Sequence, residues 1–212
     1  MREASIGRVL VASLHQSIAD VQPMRLSFYE NWLSVEGLRE GTIGPASLFA
    51  VLSFLRQETE AYQVITTRAG EYAAEWTVQA MAPGHRAFIG STPEWLRQRL
   101  VLRLARGIVH SSYPGSRAIT RLQRTTADVE LTASIFCTVR KPSLHPLCGF
   151  YASALTRLYR LFELDGRAEV VTCRGTGGST CKLKVALAAD DDDGAATDDA
   201  TKAPVSQSGL IA

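Results

Sequence analysis

The sequence predicts an α+β fold in which N-terminal helices pack on a small antiparallel sheet. Two observations lead to this class. Apolar residues recur at helical spacing from Ile6 to about His110, and from Ala118 onward the pattern changes to the two-residue period of strands. Helices that precede a run of hairpins are typical of an α+β domain and not of a doubly wound parallel sheet.

The helical part divides at Gly and Pro residues. Helices are expected over residues 6–21, 24–38 (ending near Gly37), 46–57, 61–81 and 94–110. Pro45 suits the first turn of the third helix, and Pro83-Gly84 ends the fourth. Ser91-Thr92-Pro93-Glu94 has the spacing of a capping box, which predicts that the last helix begins there.

The sheet part reads as strand, strand, helix, strand, strand. Strands are expected over residues 118–124, 128–139, 169–173 and 181–187, with an amphipathic helix over 145–162. Thr125-Thr126-Ala127 is the candidate turn of the first hairpin. The acidic, small-residue-rich segment 189–212 is predicted to be a disordered tail.

Composition and charge exclude several classes. The chain is 46% hydrophobic, enough for a proper core, and it contains no apolar run near the roughly 20 residues that span a bilayer. Without the residues from Asp190 onward, 22 basic and 15 acidic residues remain, a net charge of +7. This basic body favours an anionic ligand, but no dense Lys/Arg run interleaved with aromatics indicates nucleic acid.

The N-terminal segment carries no signal-peptide pattern, because polar His15, Gln16 and Asp20 interrupt it. We therefore expect a cytoplasmic protein without a membrane span. In that compartment the four cysteines are expected to be reduced thiols, not disulfides.

Three cysteines cluster in the C-terminal part. Cys148 stands at the head of the amphipathic helix, and seven residues separate Cys173 from Cys181. Zinc takes four N, S or O ligands in a tetrahedron. The Cys173–Cys181 spacing is longer than the usual clamp of two to four residues, but a hairpin could bring both sulfurs together.

The fourth ligand is open on spacing alone. Glu169 precedes Cys173 by four residues, roughly 13 Å along an extended strand, so its carboxylate reaches the ion only if the strand bulges. His145 and Cys137 are alternatives. The competing hypothesis is that these cysteines are ordinary half-buried thiols, because Cys behaves as a small hydrophobe.

The loop Gly175-Thr176-Gly177-Gly178 is interpreted as a hairpin turn. Phosphate-binding glycines open a helix after a strand, whereas here a strand-like run begins at Cys181. With no nucleotide-binding motif, NADPH is not an expected cofactor.

Ligand-binding candidates lie mainly on the arginine-rich helix. Arg103 and Arg106, with Arg97 and Arg99, form a stripe that either clamps carboxylates or is a solvated helix face. His110 ends this helix and His145 precedes Pro146. Each histidine is either structural or a ligand to a metal or to a tetrapyrrole magnesium.

The C-terminal motifs resemble a known family. The segment His145-Pro146-Leu147-Cys148-Gly149-Phe150-Tyr151, the helix after it and the Cys-x7-Cys pair resemble the C-terminal half of the 4-vinyl reductase domain. That family is an α+β ligand-binding module related to the TRAPP tethering subunits and to the sensing part of aromatic-responsive bacterial activators.

Upstream segments extend the resemblance. Thr42-Ile43-Gly44-Pro45-Ala46, Ala69-Gly70-Glu71-Tyr72 and residues 93–110 are similar to a branch of this family that acts in bacteriochlorophyll biosynthesis. The resemblance implies a ligand-binding domain over residues 41–188 and a helical extension over 1–40. In zinc-binding members the pattern is Cys, then Glu-x-x-Cys-x7-Cys; the three cysteines match, but the glutamate position is Val170, with Glu169 one residue away.

The function implied by this resemblance is binding of a divinyl chlorophyllide-type magnesium tetrapyrrole. The chain would take part in reduction of its vinyl group, as reductase or as substrate carrier, with other bacteriochlorophyll enzymes as partners and a homodimer as a further expectation. The alternative is a non-enzymatic small-molecule sensor or scaffold. Vinyl reduction needs a hydride donor and a proton donor; the sequence displays neither, so no catalytic residue is assigned.

Overall fold

The computed structural model of the chain describes residues 6–187. The helices are α1 Arg8–Val21, α2 Leu26–Glu30, α3 Val35–Glu40, α4 Pro45–Gln57, α5 Thr59–Gln79, α6 Pro83–Ser91, α7 Glu94–Ser112 and α8 Gly149–Leu161. The strands are β1 Arg117–Leu122, β2 Thr126–Thr132, β3 Gly166–Thr172 and β4 Cys181–Leu187. Short 3-10 turns span Pro23–Arg25, Ile135–Cys137 and Arg174–Thr176. The predicted acidic tail lies outside the described residues.

The four strands form one antiparallel sheet in the order β1-β2-β4-β3. Burial alternates strictly along β4, where Cys181, Leu183, Val185 and Leu187 face the core and the lysines between them face outward. A two-residue period with one covered face is what an antiparallel sheet needs. The predicted α+β class, with helices packed on a small antiparallel sheet, is confirmed.

Helices cover one face of the sheet in two layers. α7 packs on β1 and α8 on β3, while α5 packs on α8 and α1 on α5. α5 and α8 approach closely at Gly70, where an added Cβ would lie 2.2 Å from the Phe150 carbonyl oxygen. The apolar stripe of α1 belongs to the same core as the sheet residues. The predicted boundary near residue 40, between a helical extension and a ligand-binding domain, stays a prediction of the sequence.

The region predicted as one helix over 24–38 is instead a 3-10 turn and two short helices, α2 and α3. The break falls at Ser34, whose backbone is extended and whose hydroxyl accepts a hydrogen bond from the Gly37 N–H at 3.1 Å. The Ser34 side chain therefore caps the start of a new helix, whereas the periodicity of apolar residues predicts a single continuous helix.

The predicted capping box at Ser91 is wrong. Pro83 begins α6, a helix that the sequence interpretation missed, and Ser91 is its last residue. The Ser91 hydroxyl donates to the Phe88 carbonyl at 3.0 Å within that helix, and Pro93 occupies the cap position of α7. Proline is favoured in the first turn of a helix, so Pro83 marks a start as well as a stop.

The second strand is shorter than predicted. β2 ends at Thr132 because Ala133 has a positive φ of 55°, and the 3-10 turn Ile135–Cys137 follows. The Ser116 hydroxyl donates to the Ala133 carbonyl at 2.7 Å and holds this turn. The predicted helix over 145–162 likewise begins later, at Gly149, with Cys148 as its cap residue.

Among the helices of residues 6–187, none combines the length and the apolar character that crossing a lipid bilayer requires.

Candidate functional site

The sulfur atoms of all four cysteines meet at one point beside the sheet. The Sγ atoms of Cys137, Cys148, Cys173 and Cys181 all lie within 4.8 Å of one another. Cys148, Cys173 and Cys181 are buried, Cys137 is half-buried, and all four are free thiols. Each stands at the boundary of an element, so the cluster ties together β2, α8, β3 and β4.

The spacing of these sulfurs fits a tetrahedral zinc ion. A Zn–S bond of about 2.3 Å places the sulfurs of a tetrahedron about 3.8 Å apart. The Sγ of Cys137 lies 3.0 Å from that of Cys148 and 3.4 Å from those of Cys173 and Cys181, and Cys148 lies 3.7 Å from Cys173. Four thiolate donors leave no open position, which is the mark of a structural and not a catalytic zinc site.

A bulge in β3 aims Cys173 at the cluster. Pairing with β4 shifts between Val170 and Thr172, and Val171 between them is 60% exposed. Ala168 faces the core and Val170 is half-buried on the same side, so strict alternation would turn Cys173 outward. The extra residue of the bulge restores the inward direction.

The Gly-rich loop connects Cys173 to Cys181, the other ligand candidate of this hairpin. The Cys173 carbonyl accepts hydrogen bonds from the N–H groups of Thr176 at 3.1 Å and Gly178 at 3.0 Å. Gly177, with φ 96°, occupies the left-handed region that favours glycine. The loop is thus a tight turn between two metal-ligand candidates, as the hairpin interpretation requires, and it does not open a helix.

Helices α4 and α5 position the other two cysteines. The Arg56 guanidinium donates to the carbonyls of Phe136 at 3.0 Å and Thr138 at 3.4 Å, which flank Cys137. The buried Tyr62 hydroxyl donates to the Leu147 carbonyl at 3.0 Å, next to Cys148. Outer hydrogen bonds of this kind orient metal ligands.

The pKa values of the four thiols shift in opposite directions: those of Cys137 and Cys148 are raised, and those of Cys173 and Cys181 are lowered. Hydrogen bonds from the Cys137 and Cys148 thiols lower the pKa of Cys173, and the Leu147 N–H donates to the same sulfur at 3.3 Å. The same two thiols lower the pKa of Cys181, which also accepts the Arg174 N–H at 3.3 Å. Contacts with Cys137 and Cys173, together with burial, raise the pKa of Cys148. Repulsion keeps the cluster from ionising fully unless a cation shares it.

Two residues proposed from the sequence as ligands lie elsewhere. Glu169 points to the exposed face of β3, where its carboxylate is 73% exposed and 4.0 Å from the Arg167 guanidinium. Its strand does bulge, but two residues too late to turn Glu169 inward. His145 is exposed on the connector before α8. Cys137, an alternative that spacing left open, supplies the fourth sulfur because the turn after β2 returns to the cluster.

The other sequence-predicted residues come together in a second place, which we call the basic groove. It has a volume of about 900 Å³ and runs between α7 and the edge strand β1. Its walls carry the basic side chains of Arg99, Arg103, Arg106, His110 and Arg117. Among the ion pairs between described residues, none involves these four arginines. Arg97 turns away and donates to the carbonyls of Thr92 and Phe162.

Side chains fill the space between the helices and the sheet. The cavity there, beside Tyr151, Leu155 and Val129, measures about 10 Å³, which is room for about one water molecule. Side chains from α7, α8 and the sheet close it. Space for a ligand is therefore found outside the main core.

No protein-family model and no curated protein matches the chain. Solved structures do share its fold. The phenol-responsive sensory domain of the transcription activator PoxR with phenol has a TM-score of 0.50 at 11% identity, covering 68% of this chain and 74% of that one. An Fe(II) unliganded variant of an H-NOX protein from K. algicida has a TM-score of 0.51 at 11% identity, covering 87% and 98%. An H-NOX protein from S. oneidensis in the Fe(II)NO state has a TM-score of 0.49 at 13% identity, covering 86% and 99%. At these identities the two similarities with TM-scores of 0.50 and 0.51 establish the fold alone.

Proposed function

We propose that this chain is a non-enzymatic small-molecule-binding module of the 4-vinyl reductase domain family, with a ligand that carries a carboxylate. The observation that carries this proposal is the basic groove, about 900 Å³ in volume and lined by four arginines and His110. Ligand sites are typically about 300–1,000 Å³ with a few converging polar groups. The shared fold with a phenol-responsive sensory domain supports a binding role.

The charges of the groove argue for an anion. Arg99, Arg103 and Arg106 follow one another at intervals of four and three residues on one face of α7, with His110 one turn further on, and like charges such as those of the arginines destabilise a helix at that spacing. Arg117 faces them from β1. An anion between the two elements relieves this repulsion and can accept forked hydrogen bonds from the guanidinium groups.

The cysteine cluster serves this module as a structural centre. Zinc held by Cys137, Cys148, Cys173 and Cys181 would lock the two hairpins and the start of α8 in one arrangement. When bound, such an ion supplies folding free energy and no open position for chemistry. The 4-vinyl reductase resemblance includes a metal at the matching cysteines, which supports the same role.

A paired-ligand experiment tests the proposal. Isothermal titration calorimetry of the purified chain with 1-naphthoate and with uncharged 1-naphthol compares two ligands that share a naphthalene ring and differ in charge. We expect naphthoate to bind at least tenfold more tightly, a difference of about 1.4 kcal/mol, and to lose this advantage in high salt. Equal affinity for both ligands, or binding of neither, would overturn the proposal.

A second candidate function follows from His110. This imidazole lies in the same groove as the arginines, and nitrogen ligands of this kind can bind the magnesium of a tetrapyrrole whose propionate meets a guanidinium. The sequence resemblance to the bacteriochlorophyll-biosynthesis J protein supports the same ligand class. In this version the chain carries a divinyl chlorophyllide-type pigment, or takes part in reducing its vinyl group, alongside other enzymes of that pathway.

Binding of divinyl protochlorophyllide to the purified protein tests this second candidate function. Co-migration of pigment and protein on a sizing column, with a shifted Soret band, is the expected result, and the same column reports whether the chain is a homodimer. No retention at micromolar pigment excludes the carrier role. Addition of NADPH, with chromatography of the extracted pigment, tests reduction separately: conversion to the monovinyl form identifies an enzyme.

A further inference from the structure

A second cavity, which we call the apolar pocket, opens on the other side of α7. It has a volume of about 620 Å³ and lies among α1, α5, α6 and α7. Its apolar walls are Val9, Ile89, Leu100, Leu104 and Ile108. Ile89 is the buried residue of α6, the helix that forms the outer wall of this pocket.

The basic groove and the apolar pocket meet on α7. Arg103 and Gly107 line both cavities. They are four residues apart and therefore adjacent on one helix face. Beyond its chain neighbours and the backbone of its own helix, a Cβ added to Gly107 would find no atom of the described residues within 4 Å. Gly107 thus leaves an open crossing over the helix, one turn beyond the Arg103 guanidinium.

The two cavities differ in chemistry. The groove presents four guanidinium groups and one imidazole. The pocket presents five aliphatic side chains beside Thr77, His85 and Ser111, with Arg103 at the crossing. An apolar body gains by leaving water for the pocket, while carboxylates gain charge-assisted hydrogen bonds in the groove. One molecule with both parts satisfies both cavities.

On the basis that the basic groove binds carboxylates as inferred above, we propose that the groove and the apolar pocket form one binding site for an amphipathic acid. Its ligand carries carboxylates at one end of a large apolar body, and the body crosses α7 over Gly107. A small aromatic acid occupies the groove alone. Gly107 is accordingly the residue that sets the size of ligand that the site accepts.

Substitution of Gly107→Leu tests this site. The leucine side chain fills the crossing, and it favours the helix because Leu has a higher helix propensity than Gly. The matched control is Gly90→Leu, at another helical glycine where an added Cβ meets no atom within 4 Å. The probes are protoporphyrin IX, which carries two propionates on one edge of an apolar macrocycle, and 1-naphthoate.

We expect Gly107→Leu to weaken protoporphyrin binding at least tenfold more than it weakens naphthoate binding, and Gly90→Leu to change neither affinity. Fluorescence titration and circular dichroism provide the affinities and the check on folding. Unchanged protoporphyrin affinity in Gly107→Leu would overturn the joined site and leave the proposed function standing, as would an equal loss of both probes. Failure of wild-type protein to bind either probe overturns the proposed function itself.

Discussion

The cysteine cluster and the basic groove each gather groups that have the same sign of charge when they are ionised, but in opposite surroundings. Three of the four cysteines are buried, and their sulfurs lie within 4.8 Å of one another. The groove arginines are exposed on an open surface. A buried charge needs a partner at all times, whereas a solvated guanidinium keeps its charge in water until a ligand arrives. In the proposed function the cluster holds a permanent cation that belongs to the fold, whereas the groove holds an exchanging anion that belongs to function.

Loss of one cysteine is expected to have the largest effect. Cys173→Ser should reduce zinc from about one ion per chain to none and lower the free energy of unfolding by about 4 kcal/mol, because loss of a structural metal is among the few changes of that size. Elemental analysis and chemical denaturation measure both. Glu169→Gln is the control and should retain zinc; zinc loss in this variant would return the carboxylate to the ligand set.

The guanidinium beside Cys137 comes next. Arg56→Met retains the apolar stem but removes the hydrogen bonds to the Phe136 and Thr138 carbonyls. We expect a loss of about 2 kcal/mol in the free energy of unfolding and about tenfold weaker zinc binding in a chelator competition. Arg39→Met, at an exposed arginine of α3, should change neither. Unchanged zinc affinity in Arg56→Met would show that the cluster needs no support from α4.

Charge reversal in the groove should separate binding from stability. Arg103→Glu combined with Arg106→Glu is expected to weaken 1-naphthoate binding at least tenfold, while the free energy of unfolding changes by about 0.5 kcal/mol or less because both side chains are exposed. Arg121→Glu with Arg124→Glu makes the same change in net charge outside the groove. Equal losses of 1-naphthoate affinity in both double variants would show that the net charge of the protein, and not the groove, determines binding.

Tyr159 offers the smallest effect and a reference outside both regions. Its buried hydroxyl has no hydrogen-bond partner among residues 6–187, and burial raises its pKa from 10.0 to about 12. The folded state therefore holds this proton more tightly, so the contribution to stability is complete below pH 10 and is lost as the pH rises through 12.

Tyr159→Phe should change the free energy of unfolding at pH 7 by less than about 1 kcal/mol and should reduce the loss of stability at alkaline pH. Denaturation curves at several pH values measure this. Zinc content and naphthoate affinity are expected to match wild type. If the free energy of unfolding of Tyr159→Phe falls at alkaline pH as much as that of wild type, other groups cause the loss of stability.

Local pattern sufficed for several elements. β4 spans the predicted residues 181–187 because its alternation is unbroken, and α4 begins at Pro45, one residue before the predicted start, and ends at the predicted Gln57. Prediction failed where a local feature has two meanings. Pro83 ends one helix and begins α6, and Ala133 interrupts a two-residue period that the sequence continues to Val139.

The residues of the candidate site also divide into those that local sequence pattern could group and those that it could not. Cys148, Cys173 and Cys181 could be grouped by spacing, and Arg103, Arg106 and His110 by their place on one helix. The fourth sulfur could not be chosen, because it depends on a turn at Ala133 and on a bulge at Val171, neither of which has a strong signal in the sequence. The apolar pocket depends on α6, which the sequence interpretation did not contain.

The sequence by itself determined the fold class and the residues able to hold a metal or an anion, because periodicity and side-chain chemistry are local properties. Only the tertiary structure decided that Cys137 and not Glu169 joins the cluster, that the interior is closed, and that β1 faces the arginines of α7. Those outcomes depend on which strand edges and helix faces meet. Such contacts join residues far apart in the chain, and their geometry follows from the packing of the whole domain.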